Sequence, residues 1–278
     1  MKKIILLSIA LFLGLGAYAQ RIDESQVNDA LAAGMREYDA TEGIVTVMDA
    51  GTGEVLNVTN IGISGDQRQL LNTPMRTTLF STFALEASLQ TGRVSADDMV
   101  KTGNGKKKIQ GREIYDHNWK RGGYGKISVK QGFALNSYIA MLLAVKKAFS
   151  SETDYVQTVS NSYQITPKSI FFYDYELSPM KIMSLYRELS NNKEAKVWKA
   201  IDYDRENGLG NNVFKDMDLW GKFCGLQAST DDCLMEVCGI YPMSKPKYII
   251  YVRLNKKSLP CSGAMAAEVL KNICRTFK

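Results

Sequence analysis

The sequence predicts an α/β fold, a five-stranded antiparallel sheet covered by N- and C-terminal helices with a helical lobe beside it. Three observations predict it. Two β-rich runs near the start flank a glycine-bearing turn, three further strand-like runs lie near the end, and the stretch between them reads as helical. Strands from both ends of the chain can then share one sheet, with the middle of the chain forming its own lobe.

The elements follow in order. Val27, Leu31, Met35 and Tyr38 recur at helical spacing, with Ser25 as the expected N-cap. Residues 43–60, "GIVTVMDAGTGEVLNVTN", give a hairpin that turns at Asp49-Ala50-Gly51-Thr52-Gly53. Helices are expected over 80–90, closed by Gly92, over 139–149, and over 179–189, where Pro179 suits a first turn. Strands are expected over 221–228, 233–241 and 248–254, and Met265, Val269, Ile273 and Phe277 make an i, i+4 stripe on a closing helix.

The first residues read as a secretory signal. Lys2 and Lys3 precede an apolar run over 4–15 and the small-x-small pattern Ala17-Tyr18-Ala19. That run is shorter than the ~20 residues of a membrane span, so residues 1–19 are expected to be cleaved, leaving an exported chain over 20–278 without a stable span. The alternative is retention of the segment as an anchor. Cleavage removes two lysines and leaves 33 basic against 29 acidic residues, net +4. Lys106, Lys107 and Lys108 cluster without aromatic interleaving, which reads as a solvated loop and excludes nucleic acid as a partner. No repeat or linker interrupts residues 20–278, so one domain is expected.

All five cysteines, Cys224, Cys233, Cys238, Cys261 and Cys274, lie in the last fifth of the chain. Export permits disulfides among them; Cys224–Cys238, on consecutive strands, and Cys261–Cys274 are two options. Their spacing fits no zinc site, and the single histidine, His117, excludes a multi-histidine metal centre. No metal or cofactor is expected. His117 lies among turn formers in "IYDHNWKRGGYG", where a structural or surface role is expected. Phe171, Phe172, Tyr173 and Tyr175 are an apolar run ahead of a helix and are expected in the core.

Several stretches together resemble the transpeptidase domain of penicillin-binding proteins, the fold shared with serine β-lactamases. They are the hairpin "VTVMDAGTGEVLNV", the segment "VKTGNGKKKIQGREIYDHNWKRGGYGKISVKQGFALNSYIAM", the helix "YELSPMKIMSLYRELSNN" and "WGKFCGLQ" before the last strands. The resemblance spans residues 43–277. It implies serine-type D,D-transpeptidase or carboxypeptidase chemistry, in which three motifs converge: Ser-x-x-Lys, Ser-x-Asn and Lys-Thr-Gly. Lys101-Thr102-Gly103 spells the third motif but comes far too early, in a glycine-rich loop, and is a decoy.

All three motifs are altered at the matching positions. The nucleophile position holds Thr78, and Ser81 stands where the lysine base belongs. A hydroxyl cannot replace an amine as proton acceptor, and losing a positioned base forfeits ~10²–10⁴ in rate. Asn136-Ser137-Tyr138 replaces Ser-x-Asn, and Lys222-Phe223-Cys224 keeps only the cation of Lys-Thr-Gly. Sliding the second motif to begin at Ser137 puts Ile139 third, and taking Ser81 as nucleophile puts Ala84 at the lysine position.

The resemblance therefore implies a catalytically inactive relative that binds or scaffolds, with the peptidoglycan stem peptide or cell-wall synthesis proteins as partners. Two alternatives keep chemistry in the cleft. One is a weak acyl-enzyme at Thr78 assisted by Lys222; the other is Cys224 acting as a thiol with its pKa lowered by Lys222.

Overall fold

Strands from the two ends of the chain meet in one sheet in the computed structural model, which describes residues 22–229 and 232–277. The signal-peptide expectation falls outside these residues. The chain begins with α1 (Glu24–Glu37), β1 (Ala40–Asp49), β2 (Val55–Ile61), α2 (Gln67–Asn72), β3 (Met75–Arg76) and α3 (Ser81–Gln90). The lobe continues through β4 (Met99–Gly103), β5 (Lys106–Ile109), β6 (Arg112–Tyr115), β7 (Gly125–Ser128), α4 (Val129–Ala134), α5 (Tyr138–Ala148) and α6 (Glu152–Tyr163). Then come β8 (Glu176–Leu177), α7 (Pro179–Asn191), α8 (Trp198–Asn207) and α9 (Asn211–Phe214). The chain returns to the sheet in β9 (Trp220–Ser229), β10 (Asp232–Tyr241) and β11 (Tyr248–Lys256) and closes with α10 (Gly263–Cys274).

The five-stranded sheet has the order β2-β1-β11-β10-β9 and is antiparallel throughout, which makes β9 an edge strand. Both faces of the sheet are covered, so its strands read as nearly continuous apolar runs instead of alternating ones. Ile44 and Met48 of β1 join the core under the helical lobe, while Val45 and Val47 join a second core with Val27, Leu31, Val269 and Ile273 of α1 and α10. The hairpin turns where the sequence predicts: Asp49 Oδ1 accepts from the amides of Gly51 at 2.9 Å and Thr52 at 2.7 Å. Gly53 supplies the positive φ of +79° that closes the turn.

Several local readings are corrected. Asp23, not Ser25, caps α1, because its carboxylate accepts from the amides of both Ser25 and Gln26. Lys101-Thr102-Gly103 lies in strand β4 and not in a loop, because Val100 and Thr102 turn inward while β4 pairs with β7. Phe277 lies past the end of α10 and packs against Tyr248, with ring centroids 4.9 Å apart.

Neither disulfide weighed from the sequence forms. The bridge joins Cys233 to Cys261, with Cα atoms 5.5 Å apart, and Cys224, Cys238 and Cys274 are free. Cys224 pairs with Glu236 and Cys238 with Lys222. The two cysteines are thus diagonal neighbours, ~7–8 Å apart, beyond the reach of a bridge. Cys261 precedes α10 and Cys274 ends it, so twelve helical residues at ~1.5 Å each separate them.

Candidate functional site

A groove of about 990 Å³ runs between edge strand β9 and the rim of the lobe. Residues 224–227 of β9 and residues 261–264, which lead into the start of α10, line one side; Tyr115, Trp119, Tyr138 and Tyr173 line the other. The two segments on the β9 side press together through glycine. A Cβ at Gly263 would meet the Cys224 backbone at 2.5 Å, and one at Gly225 would meet the Cys261 carbonyl at 2.9 Å.

Thr78, just ahead of α3, is only 2% exposed and does not line the groove. Its partner is a carboxylate. Its backbone N–H donates to Glu236 Oε1 at 2.8 Å and its hydroxyl donates to the same oxygen at 3.4 Å. The Thr77 hydroxyl donates there too, at 2.8 Å, and Tyr251 donates to Oε2 at 3.3 Å. Burial raises the pKa of Glu236 above the usual carboxylate range, and the hydrogen bonds from Thr78 and Thr77 pull it partly back. Ser81 is buried in the first turn of α3, where its amide donates to the Thr78 carbonyl at 3.2 Å. Sequence reasoning missed Glu236, although a lone acid inside the apolar run "CLMEVCGIY" of β10 was its signal.

The second motif's positions are committed to structure. Ser137 caps α5, accepting from the Ala140 amide at 3.1 Å, and its hydroxyl donates to Asp116 at 2.8 Å. Asp116 is buried as well and also accepts from the Ile139 amide. Asn136 takes a positive φ of 52°, and its Nδ2 donates to the Phe223 carbonyl at 3.1 Å, tying the lobe to β9. Tyr138 stacks on Tyr173 with centroids 3.8 Å apart and planes 8° from parallel, and meets Phe172 edge-on at 5.2 Å. Phe171, Phe172 and Tyr175 are core residues, as the sequence predicts, but Tyr173 reaches the groove to make this stack. Beside the stack Arg112 reaches Asp174 at 2.6 Å and lies 4.3 Å over the Phe171 ring.

The third motif splits across the two faces of β9. Lys222 is buried, donating to the Phe133 carbonyl, lying 3.7 Å over the Phe133 ring and pairing with Asp204 at 3.7 Å. Burial pushes Lys222 down and Asp204 up, and their mutual attraction opposes both shifts. Asp204 also accepts from Trp220 Nε1 at 3.1 Å and lines a second cavity of about 400 Å³. The ammonium on which an acyl-enzyme at Thr78 would call thus sits in an ion pair. Phe223 turns to the opposite face and packs edge-on against Phe214.

Cys224 is half-buried at the groove and close to Thr78. Burial pushes its thiol up to about 12; the Thr78 hydrogen bond and Lys222 pull it down by less, and Glu236 pushes it further up. A thiol in that state is protonated at neutral pH and is a poor nucleophile, which runs against the expected lowering by Lys222. His117 pairs with the Tyr124 hydroxyl at 2.9 Å on the lobe side. Among the described residues no group of three or more His, Cys, Asp or Glu is placed to hold a metal ion.

The fold is similar to that of the apo transpeptidase domain of penicillin-binding protein 3 from Burkholderia pseudomallei. The TM-score is 0.72 at 16% sequence identity, covering 92% of this chain and 94% of that chain. It is also similar to a peptidoglycan glycosyltransferase from Burkholderia ambifaria, with a TM-score of 0.71 at 15% identity, covering 90% of this chain and 93% of that one. No protein-family model and no curated protein matches the sequence.

Proposed function

We propose that this chain, which has a penicillin-binding-protein transpeptidase-like fold, is an exported, non-catalytic form of it that binds an extended cell-wall peptide along the edge of β9. The observation that carries the proposal is the carboxylate of Glu236 hydrogen-bonded to Thr78 in a closed pocket, where acyl transfer needs an amine beside an open alcohol. Glu236 Oε1 already accepts from the Thr77 hydroxyl and the Thr78 amide, and the stacked Tyr138 and Tyr173 stand on the lobe side of the groove, which Thr78 does not line.

The groove itself suits binding. An edge strand offers unpaired backbone groups to a peptide that adds as a further strand, and the aromatic wall opposite offers apolar contact. Asn136 occupies the Phe223 carbonyl, so residues 225–227, which line the groove, are the stretch of the edge to which the peptide would add. Peptidoglycan stem peptide is the favoured ligand, by the names of the two similar structures and by the secretory signal expected over residues 1–19. Cell-wall synthesis proteins are the other candidate partners.

The test is titration of a stem pentapeptide ending in D-alanyl-D-alanine against isotopically labelled protein. Amide shifts confined to residues 225–227 and 261–264 are expected. Unmoved amides at both segments under saturating peptide would remove the stem peptide as the ligand.

A further inference from the structure

The rim of the lobe carries a charge that neither the fold nor the groove uses. Residues 100–128 hold eight Lys and Arg against two Asp and Glu, a surplus of +6 that equals the formal net charge of the entire chain. β4 and β7 place Lys101 directly opposite Lys126, both exposed because Val100 and Ile127 turn inward. Like charges facing each other across a strand pair are destabilising. On β5, Lys106 and Lys108 share the outward face with Tyr115 and Glu113 of β6, and Lys120 and Arg121 follow in an exposed turn.

These cations are not held in ion pairs. Among the described residues none of Lys101, Lys106, Lys108, Lys120, Arg121 and Lys126 forms an ion pair. Of the two local acids, Glu113 accepts from the Tyr115 hydroxyl at 2.6 Å, and Asp116 is buried against Ser137 and the start of α5. Arg112 alone is neutralised, by Asp174. The repulsion between Lys101 and Lys126 is therefore a cost that a bound anion removes.

Apolar side chains decide which anion. Of the four large hydrophobic side chains that stand exposed among the described residues, two are on this rim, Met99 at 50% and Tyr115 at 44%. Trp119 lies beside them with the Lys106 ammonium 3.8 Å from its ring. A hydrated polyanion leaves an exposed ring and thioether in water. The headgroup layer of a bilayer accepts both kinds of group, phosphates taking the lysines and the interface taking aromatic rings.

We propose that the β4–β7 and β5–β6 rim is a docking face for an anionic phospholipid bilayer, holding the mouth of the groove next to the membrane surface. The proposal stands on the charge of the rim; Tyr115 and Trp119 also line the groove, and the vesicle test reads the lysines whatever the groove binds.

Cosedimentation of the chain from Gln20 onward tests it, with vesicles of phosphatidylglycerol and phosphatidylethanolamine set against vesicles of phosphatidylcholine alone. Binding to the anionic vesicles only, released by high salt, is expected. Lys101→Gln, Lys106→Gln, Lys108→Gln and Lys126→Gln together should weaken it roughly 10²- to 10³-fold, at about fivefold for each lysine. These changes relieve repulsion, so unfolding temperature should hold or rise, and the salt dependence of the unaltered protein reads the same face without any variant. A control with Lys193→Gln, Lys215→Gln, Lys245→Gln and Lys257→Gln, all exposed elsewhere, should bind as the parent does. Equal binding to neutral vesicles, equal loss in the control, or tighter binding of soluble polyphosphate than of vesicles would each overturn the proposal.

Discussion

Glu236 is the residue on which the chemistry of the site turns. Its carboxylate lies where it accepts from Thr77, Thr78 and Tyr251, and burial raises its pKa in the fold. A carboxyl group whose pKa is raised by folding binds its proton more tightly in the native state than in the unfolded chain. The stability it contributes is complete below the unfolded value of 4.5 and is lost as pH rises through the folded value. Glu236→Gln keeps an acceptor for the threonines and removes the titration. The variant is therefore expected to be more stable than the parent at alkaline pH, with the gap closing as pH falls toward 4.5. Denaturant midpoints of both proteins across pH measure it, and a gap that stays constant or widens on acidification would contradict the assignment. The lone acid in the apolar run of β10 marks Glu236 in the sequence, but nothing there pairs it with Thr77: the two are 159 residues apart, and only the fold brings them together.

At the scale of elements, the sequence was informative wherever local chemistry decides and uninformative wherever pairing decides. The β1–β2 hairpin, the start of α7 at Pro179 and the three final strands were readable because a turn, an N1 proline and apolar runs carry their own signals. The disulfide was not, since Cys224, Cys233 and Cys238 differ only in where they fall in the register of β9 and β10. Lys222 could be assigned to a strand but not to a face, and its burial against Phe133 and Asp204 follows from helices α4 and α8 lying on that side. The Cys233–Cys261 bridge fastens the segment ahead of α10, which walls the groove, to β10. It closes a loop over a sequence separation of 28, so by chain entropy Cys233→Ser with Cys261→Ser is expected to cost about 3.6 kcal/mol. Denaturant unfolding of the variant checks this, and an unchanged midpoint would show that packing of Gly263 on Cys224 holds the wall without the bridge.

Over the whole molecule, a fold similar to that of a penicillin-binding-protein transpeptidase domain surrounds a centre in which Thr78 is hydrogen-bonded to a buried carboxylate. The sheet and its two cores depend on apolar alternation between the faces of β1, β9, β10 and β11, and none of that requires an active nucleophile. The matched positions Thr78, Asn136 and Lys222 each make contacts within the fold, through Glu236, the Phe223 carbonyl and the Asp204 ion pair. Intact-mass spectrometry after prolonged incubation with a reactive penicillin tests this account most directly. The mass should not change, because among the described residues no lysine is a hydrogen-bond partner of Thr78, which is buried and does not line the groove. A mass increase equal to one opened β-lactam, mapped to the Thr78 peptide and abolished by Thr78→Val, would contradict it.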